Sequence, residues 1–80
     1  MEILVYVKTK TKCVQCDATL RTLDKMGLAY TVVSVEEHMD EALQVVPNAL
    51  TAPIVVVSGG GYDKPWGWSG FMPSFLEKLA

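Results

Sequence analysis

The sequence predicts an α/β fold in which a four-stranded mixed sheet is flanked by three helices, in the order β-α-β-α-β-β-α. Two observations predict it: β-branched runs alternate with amphipathic helical stretches, and a glycine triplet follows the third run. The first β-α-β unit requires parallel strands and a right-handed crossover, whereas the closing hairpin is antiparallel. A chain of 80 residues has room for one core, so residues 1–80 are predicted to form a single domain.

The first strand and the first helix are predicted from different patterns. Glu2–Val7 is β-branched and aromatic, without glycine or proline, which is typical of a buried strand. After a basic loop, Val14–Met26 repeats apolar residues at helical spacing, and Gly27 follows where a helix end favours positive φ. The face of this helix that is predicted to be buried consists of Cys16, Thr19, Leu20, Leu23 and Met26.

A second strand and a second helix follow in the same order. Tyr30–Val35 is predicted as a strand, and Glu36–Val46 as an amphipathic helix that ends at Pro47. The residues of this helix that are predicted to lie in the core are Met39, Leu43 and Val46.

The remaining residues are predicted to form a hairpin and a last helix. Pro53 opens a strand over Ile54–Val57, and Gly59–Gly61 turns the chain back. A weaker fourth strand is predicted between residues 62 and 68. The last helix is predicted to begin near Pro73, because proline suits the first helical turn. Its apolar face is formed by Met72, Phe75, Leu76 and Leu79.

Composition excludes several classes of function. The formal net charge of −2 argues against a protein that binds nucleic acid by neutralising phosphates. No apolar run approaches the roughly 20 residues that span a bilayer, so no membrane interaction is expected. The first residues, Met1–Leu4, lack the basic segment of a secretory signal, which predicts a cytoplasmic protein. We expect a monomer.

The two cysteines, Cys13 and Cys16, are predicted to be a redox pair. Cys13 lies where a strand ends and a helix begins, and the free N–H groups and helix dipole there favour a thiolate. Its pKa should therefore be lowered, and Lys10 and Lys12 act in the same direction if they lie close. A three-residue step on a helix brings Cys16 to the same face, so Cys16 can resolve a mixed disulfide formed at Cys13.

The cysteine pair has two other interpretations. The C-x-x-C spacing also occurs in zinc sites, but the chain offers only His38 and carboxylates as further ligands. Two inert buried cysteines are the other alternative, and a C-x-x-C next to a β-α-β pattern makes that unusual. We therefore expect no metal site and favour redox chemistry.

Three segments resemble the NrdH redoxins, small glutaredoxin-like proteins of the thioredoxin superfamily. Cys13-Val14-Gln15-Cys16 is similar to the family's active-site motif. Ala52-Pro53 before a β-branched strand resembles the cis-proline position of the superfamily, and Trp68-Ser69-Gly70-Phe71 matches its W-S-G-F signature. The resemblance covers nearly the whole chain and implies a thioredoxin-like fold.

The resemblance also implies a function. Such redoxins accept electrons from NADPH through thioredoxin reductase, a flavoprotein, and pass them to the large subunit of class Ib ribonucleotide reductase. They need no tightly bound cofactor. Cys13 and Cys16 would be the catalytic pair and Pro53 the cis-proline.

Partner binding is expected around this pair. The residues assigned to it are Lys10, Lys12, Val14, Gln15, Ala52, Pro53 and the stretch Trp68, Ser69, Gly70 and Phe71. The backbone of Ala52 could pair with an extended substrate. Two alternatives for the function stay open: a glutathione-dependent glutaredoxin, and a non-enzymatic redox-sensing or metal-binding module.

Overall fold

A computed structural model describes residues 1–80 and contains the predicted order of elements. The strands and helices, in chain order, are β1 (Glu2–Val7), α1 (Val14–Lys25), β2 (Thr31–Ser34), α2 (Val35–Val45), β3 (Ile54–Ser58), β4 (Trp66–Ser69) and α3 (Pro73–Glu77). The fold class predicted from the sequence is therefore confirmed.

The sheet has the strand order β2-β1-β3-β4. β1 pairs with β2 in parallel, with Leu4 opposite Thr31, because the chain crosses over through α1 between these strands. The pairs β1–β3 and β3–β4 are antiparallel, and Val5 lies opposite Val55, which in turn lies opposite Trp68. The sheet is thus mixed, with β2 and β4 at its edges.

Each face of the sheet is covered by different helices, and the alternation of β1 supplies both cores. Ile3 and Val5 pack with Leu23 of α1 and Leu76 of α3 in the larger core. Tyr6 points to the other face and packs with residues of α2 and β3, namely Val35, Ala42, Ile54 and Val56. Leu23 and Leu76 are almost fully buried, and each contributes about 2 kcal/mol of transfer free energy.

One predicted core residue is wrong. Met39 was expected to be buried, yet 42 % of its surface is exposed. The backbone of the preceding residue, His38, is non-helical (φ −129°, ψ 26°), so the helix is kinked there. The kink interrupts the periodicity on which the prediction rested, whereas Leu43 and Val46 beyond it are partly buried.

The boundaries of the last elements differ from the prediction for local reasons. β4 begins at Trp66 because residues 59–65 form the turn of the hairpin. Gly59, Gly60 and Gly61 all have positive φ there, as Gly27 does after α1. α3 is short and ends at Glu77, but a further turn still buries Leu79. None of the three helices combines the length and the hydropathy needed to cross a lipid bilayer.

Candidate active site

The two cysteines lie at the beginning of α1, at the carboxyl end of β1. Cys13 is the N-cap residue, with extended backbone angles, and its carbonyl accepts the Asp17 N–H at 3.1 Å. Cys13 and Cys16 form a disulfide, with their Cα atoms 5.2 Å apart. The N–H of Cys16 donates to the Cys13 Sγ at 3.2 Å.

The two sulfur atoms differ in their access to solvent. Cys16 is 2 % exposed and belongs to the larger core, whereas Cys13 is only partly buried and lies in an open groove. A partner can therefore reach Cys13 but not Cys16. The orphan N–H groups of the first helical turn surround Cys13, and they favour negative charge on this sulfur.

The loop before β3 approaches the exposed sulfur. The Ala52–Pro53 peptide bond is cis, and the Ala52 carbonyl oxygen lies 4.0 Å from the Cys13 Sγ. The Pro53 carbonyl accepts the Gly70 N–H at 2.7 Å. Ala52 lies outside the strands, and its N–H has no backbone hydrogen-bond partner. Backbone polar groups therefore lie next to the redox pair.

The W-S-G-F stretch is joined to both of these segments. The Phe71 N–H donates to the Gln15 Oε1 at 2.9 Å, and the hydroxyls of Thr51 and Ser69 are 3.3 Å apart. Gly70 has φ +86°, and a Cβ atom at this position would lie 3.1 Å from the Gln15 Oε1. A glycine is needed here because both the backbone angle and the space disfavour a side chain.

The residues assigned to partner binding are not all on the surface. Trp68 is 4 % exposed and stacks on Phe75 with ring centroids 5.4 Å apart, so its side chain belongs to the core. Ala52, Pro53 and Gly70 are also buried, so the contact expected at Ala52 is limited to its backbone. On this stretch, only Ser69 and Phe71 are partly exposed and can contact a partner.

An open groove surrounds Cys13, and we call it the cysteine groove. Its lining residues are Lys8, Lys12, Cys13, Val14, Gln15, Leu50, Thr51 and Ala52. Lys10, which was also assigned to partner binding, is not among them. Lys8, Leu50 and Thr51 were not predicted as site residues. Leu50 is a large apolar residue in the loop just before the Ala52-Pro53 pair. This position in the sequence was the one signal that could have identified Leu50 as a site residue.

The loop that leads to Cys13 is held by Glu36 at the start of α2. The Glu36 carboxylate accepts the Thr9 N–H at 3.1 Å and 3.2 Å, the Thr9 hydroxyl at 3.1 Å, and the Ser34 hydroxyl at 3.1 Å. The hydrogen bond from the Thr9 backbone is the main cause that lowers the pKa of Glu36 from 4.5 to about 2. The structure brings no group of three or more His, Cys, Asp or Glu side chains together to hold a metal ion.

Comparisons with known proteins agree with this geometry. A family model described as Glutaredoxin matches residues 3–61. The glutaredoxin-like protein NrdH of Salmonella typhimurium is 32 % identical over 79 residues, which cover 99 % of this chain and 89 % of that protein. The protein of the same name from Escherichia coli K12 is 29 % identical over the same length.

Solved structures show the same fold. The NrdH-redoxin of Escherichia coli, described as having a thioredoxin-like activity profile, superposes with a TM-score of 0.74 at 30 % identity. That match covers 100 % of this chain and 96 % of the other. A glutaredoxin from Archaeoglobus fulgidus has a TM-score of 0.70 at 22 % identity, which supports the fold alone. The chain therefore belongs to the glutaredoxin family, among the NrdH-type glutaredoxin-like proteins, and is a thiol-disulfide oxidoreductase.

Proposed function

We propose that this protein is an electron carrier that reduces disulfides in other proteins through reversible formation of the Cys13–Cys16 bond. The observation that carries the proposal is the difference between the two sulfurs: one is accessible at a helix N-terminus, and the other is buried beside it. The accessible sulfur suits attack on a partner, and the buried one suits an intramolecular step that releases it.

The proposed reaction has two steps. The Cys13 thiolate attacks a target disulfide, forms a mixed disulfide, and displaces the first target sulfur as a thiolate. The Cys16 sulfur then attacks the Cys13 Sγ, and the second target sulfur leaves. Two electrons and two protons pass from the protein to the target, and the protein is left oxidised. The N–H of Cys16, which donates to the Cys13 Sγ in the disulfide, also supports the attacking thiolate.

The Ala52 backbone supports binding of an extended target segment next to Cys13. The segment that carries the target cysteine would pair with Ala52 as a strand pairs with a sheet edge. Because the Ala52 carbonyl is 4.0 Å from the Cys13 Sγ, such pairing would hold the target sulfur close to the attacking one.

The electron donor in this proposal is NADPH through thioredoxin reductase, and the acceptor is the large subunit of a ribonucleotide reductase. The motif resemblance and the names of the related proteins support this route. The same route places the protein in the cytoplasm, where thiols are kept reduced.

A coupled NADPH-oxidation assay tests the proposal. The purified protein is mixed with insulin as the disulfide substrate, in one arm with thioredoxin reductase and in the other with glutathione and glutathione reductase. Turnover confined to the first arm is expected, and a ribonucleotide reductase large subunit then replaces insulin as the acceptor.

Two results would contradict the proposal. Turnover mainly with glutathione would assign the protein to the glutathione-dependent glutaredoxins. Absence of turnover in both arms would favour a redox sensor or binding module. A Cys13→Ser variant is the matched control, and it should be inactive in either arm.

A further inference from the structure

A second cavity adjoins the cysteine groove, and its lining is almost entirely apolar. We call it the apolar pocket. It has a volume of about 100 Å³ and is lined mainly by Val35, Met39, Ala49, Leu50 and Ile54. An apolar cavity of roughly 150 Å³ can hold a benzene molecule. The apolar pocket is somewhat smaller, so it suits a branched aliphatic side chain. Neither of the two steps of the proposed reaction requires this pocket.

The pocket and the groove form one continuous surface. Both are bordered by Lys8, Leu50, Thr51 and Ala52, so the pocket opens beside the backbone that lies next to Cys13. Leu50 stands between the two with 94 % of its surface exposed. A leucine this exposed has no partner within the chain and is available to cover an apolar side chain of a bound molecule.

The charged side chains that line the groove are all positive. Lys8 and Lys12 line it, and neither cavity is lined by an aspartate or a glutamate. Glu36, whose carboxylate accepts the Thr9 N–H and hydroxyl in the loop between these lysines, lines neither cavity. The groove therefore complements a negatively charged segment.

We propose that the preferred target is an extended, acidic segment with an aliphatic residue two positions from its reactive cysteine. This inference rests on the proposed function, because the target cysteine is taken to face Cys13. In an extended segment, residues two positions apart point to the same side and lie about 7 Å apart. The aliphatic side chain enters the apolar pocket, and the acidic side chains face Lys8 and Lys12.

Single-turnover kinetics with synthetic peptides test the inference. Each peptide has one central cysteine in a mixed disulfide with thionitrobenzoate, flanked by serines. Leucine is placed two positions before or after the cysteine, with or without neighbouring glutamates. The pre-reduced protein attacks the mixed disulfide through Cys13, thionitrobenzoate leaves as a coloured thiolate, and Cys16 then releases the peptide thiol. The mixed disulfide of 2-mercaptoethanol with thionitrobenzoate is the reference.

We expect the peptide with both leucine and glutamates to react about tenfold faster than the all-serine peptide. The leucine preference should be lost in Leu50→Ser, and the glutamate preference in a Lys8→Gln, Lys12→Gln double variant. The glutamate preference should also decrease with added salt. Val32→Ser and Lys64→Gln, exposed residues outside both cavities, are the matched controls and should keep both preferences.

The outcomes separate this inference from the proposed function. Equal rates for all peptides, or fastest reaction of the all-serine peptide, would overturn the inference and leave disulfide reduction intact. A pre-reduced protein that released no thionitrobenzoate even from the 2-mercaptoethanol disulfide would overturn both.

Discussion

At the end of the sheet that carries Cys13, the loops are joined by hydrogen bonds between residues far apart in sequence, whereas the opposite end is a local hairpin. Gln15 binds Phe71, Pro53 binds Gly70, and Glu36 binds Thr9 across this end. At the other end, residues 59–65 turn through three glycines with positive φ, and Tyr62 packs edge-on against Trp66.

The difference concerns what each end must do. The hairpin needs only to reverse the chain, which backbone conformation achieves locally. The site end must hold three separate segments around one sulfur, and no local preference can do that. Hydrogen bonds with defined partners fix those segments relative to one another. Substitutions at the site end should therefore change the reaction, and similar substitutions at the hairpin should change only stability.

The largest expected effect is at the cysteines themselves. Cys13→Ser should lower disulfide-reductase turnover by about a thousandfold or more, because a hydroxyl does not replace the attacking thiolate. Cys16→Ser should instead accumulate a mixed disulfide with the substrate, since the resolving step is lost. Mass spectrometry of the trapped species distinguishes the two. Trapping at Cys16 in the Cys13→Ser variant would reverse the assigned roles.

Two glycines with positive φ give a matched comparison between the ends. Gly70→Ala should cost about 2 kcal/mol or more, because it combines backbone strain with a Cβ crowded by Gln15 and Thr51. Gly61→Ala meets open space and should cost only the strain, about 1 kcal/mol. Urea unfolding measures both values. We also expect the rate of insulin reduction to be lower in Gly70→Ala but unchanged in Gly61→Ala. Equal rates in the two variants would contradict the comparison.

The hydrogen bond from Phe71 to Gln15 should have a smaller effect. Gln15→Met removes the acceptor but keeps the shape of the side chain, and the bond is solvent-exposed, so about 0.5–1 kcal/mol is expected. Amide hydrogen exchange is the direct measurement: the Phe71 N–H should exchange faster in the variant. Unchanged exchange would show that this bond does not hold the W-S-G-F stretch.

The smallest effect is expected at Glu36 and depends on pH. The Thr9 N–H lowers the pKa of Glu36 to about 2 in the folded protein, so the carboxylate stabilises the fold above its ordinary pKa of 4.5. That stabilisation should be lost as the pH falls from about 4.5 towards about 2. Glu36→Gln keeps the shape of the side chain but does not titrate. Thermal unfolding across this range should therefore fall more steeply in the original protein than in Glu36→Gln, and identical slopes would contradict the role of Glu36.

The hairpin end and the cysteine pair were predictable from sequence because their signals are local. Three consecutive glycines predict a turn, and two cysteines three residues apart at a strand-to-helix junction predict redox chemistry. Helical periodicity likewise predicted Leu23 and Leu76 as core residues. It failed at Met39, where the kink at His38 changes the direction of the side chains.

By itself, the sequence determined the order of elements, the redox pair and the direction of the sheet strands, because each depends on short-range pattern and chain connectivity. Only the tertiary structure added Lys8, Leu50 and Thr51 to the residues expected around Cys13. They come from segments that are distant in sequence from one another or from Cys13, and only the folding of the sheet brings them to one edge. Helical periodicity already predicted the burial of Cys16, and the structure confirms it. The access of solvent to Cys13 was decided by the tertiary structure, because exposure depends on what packs over a residue rather than on the residue itself.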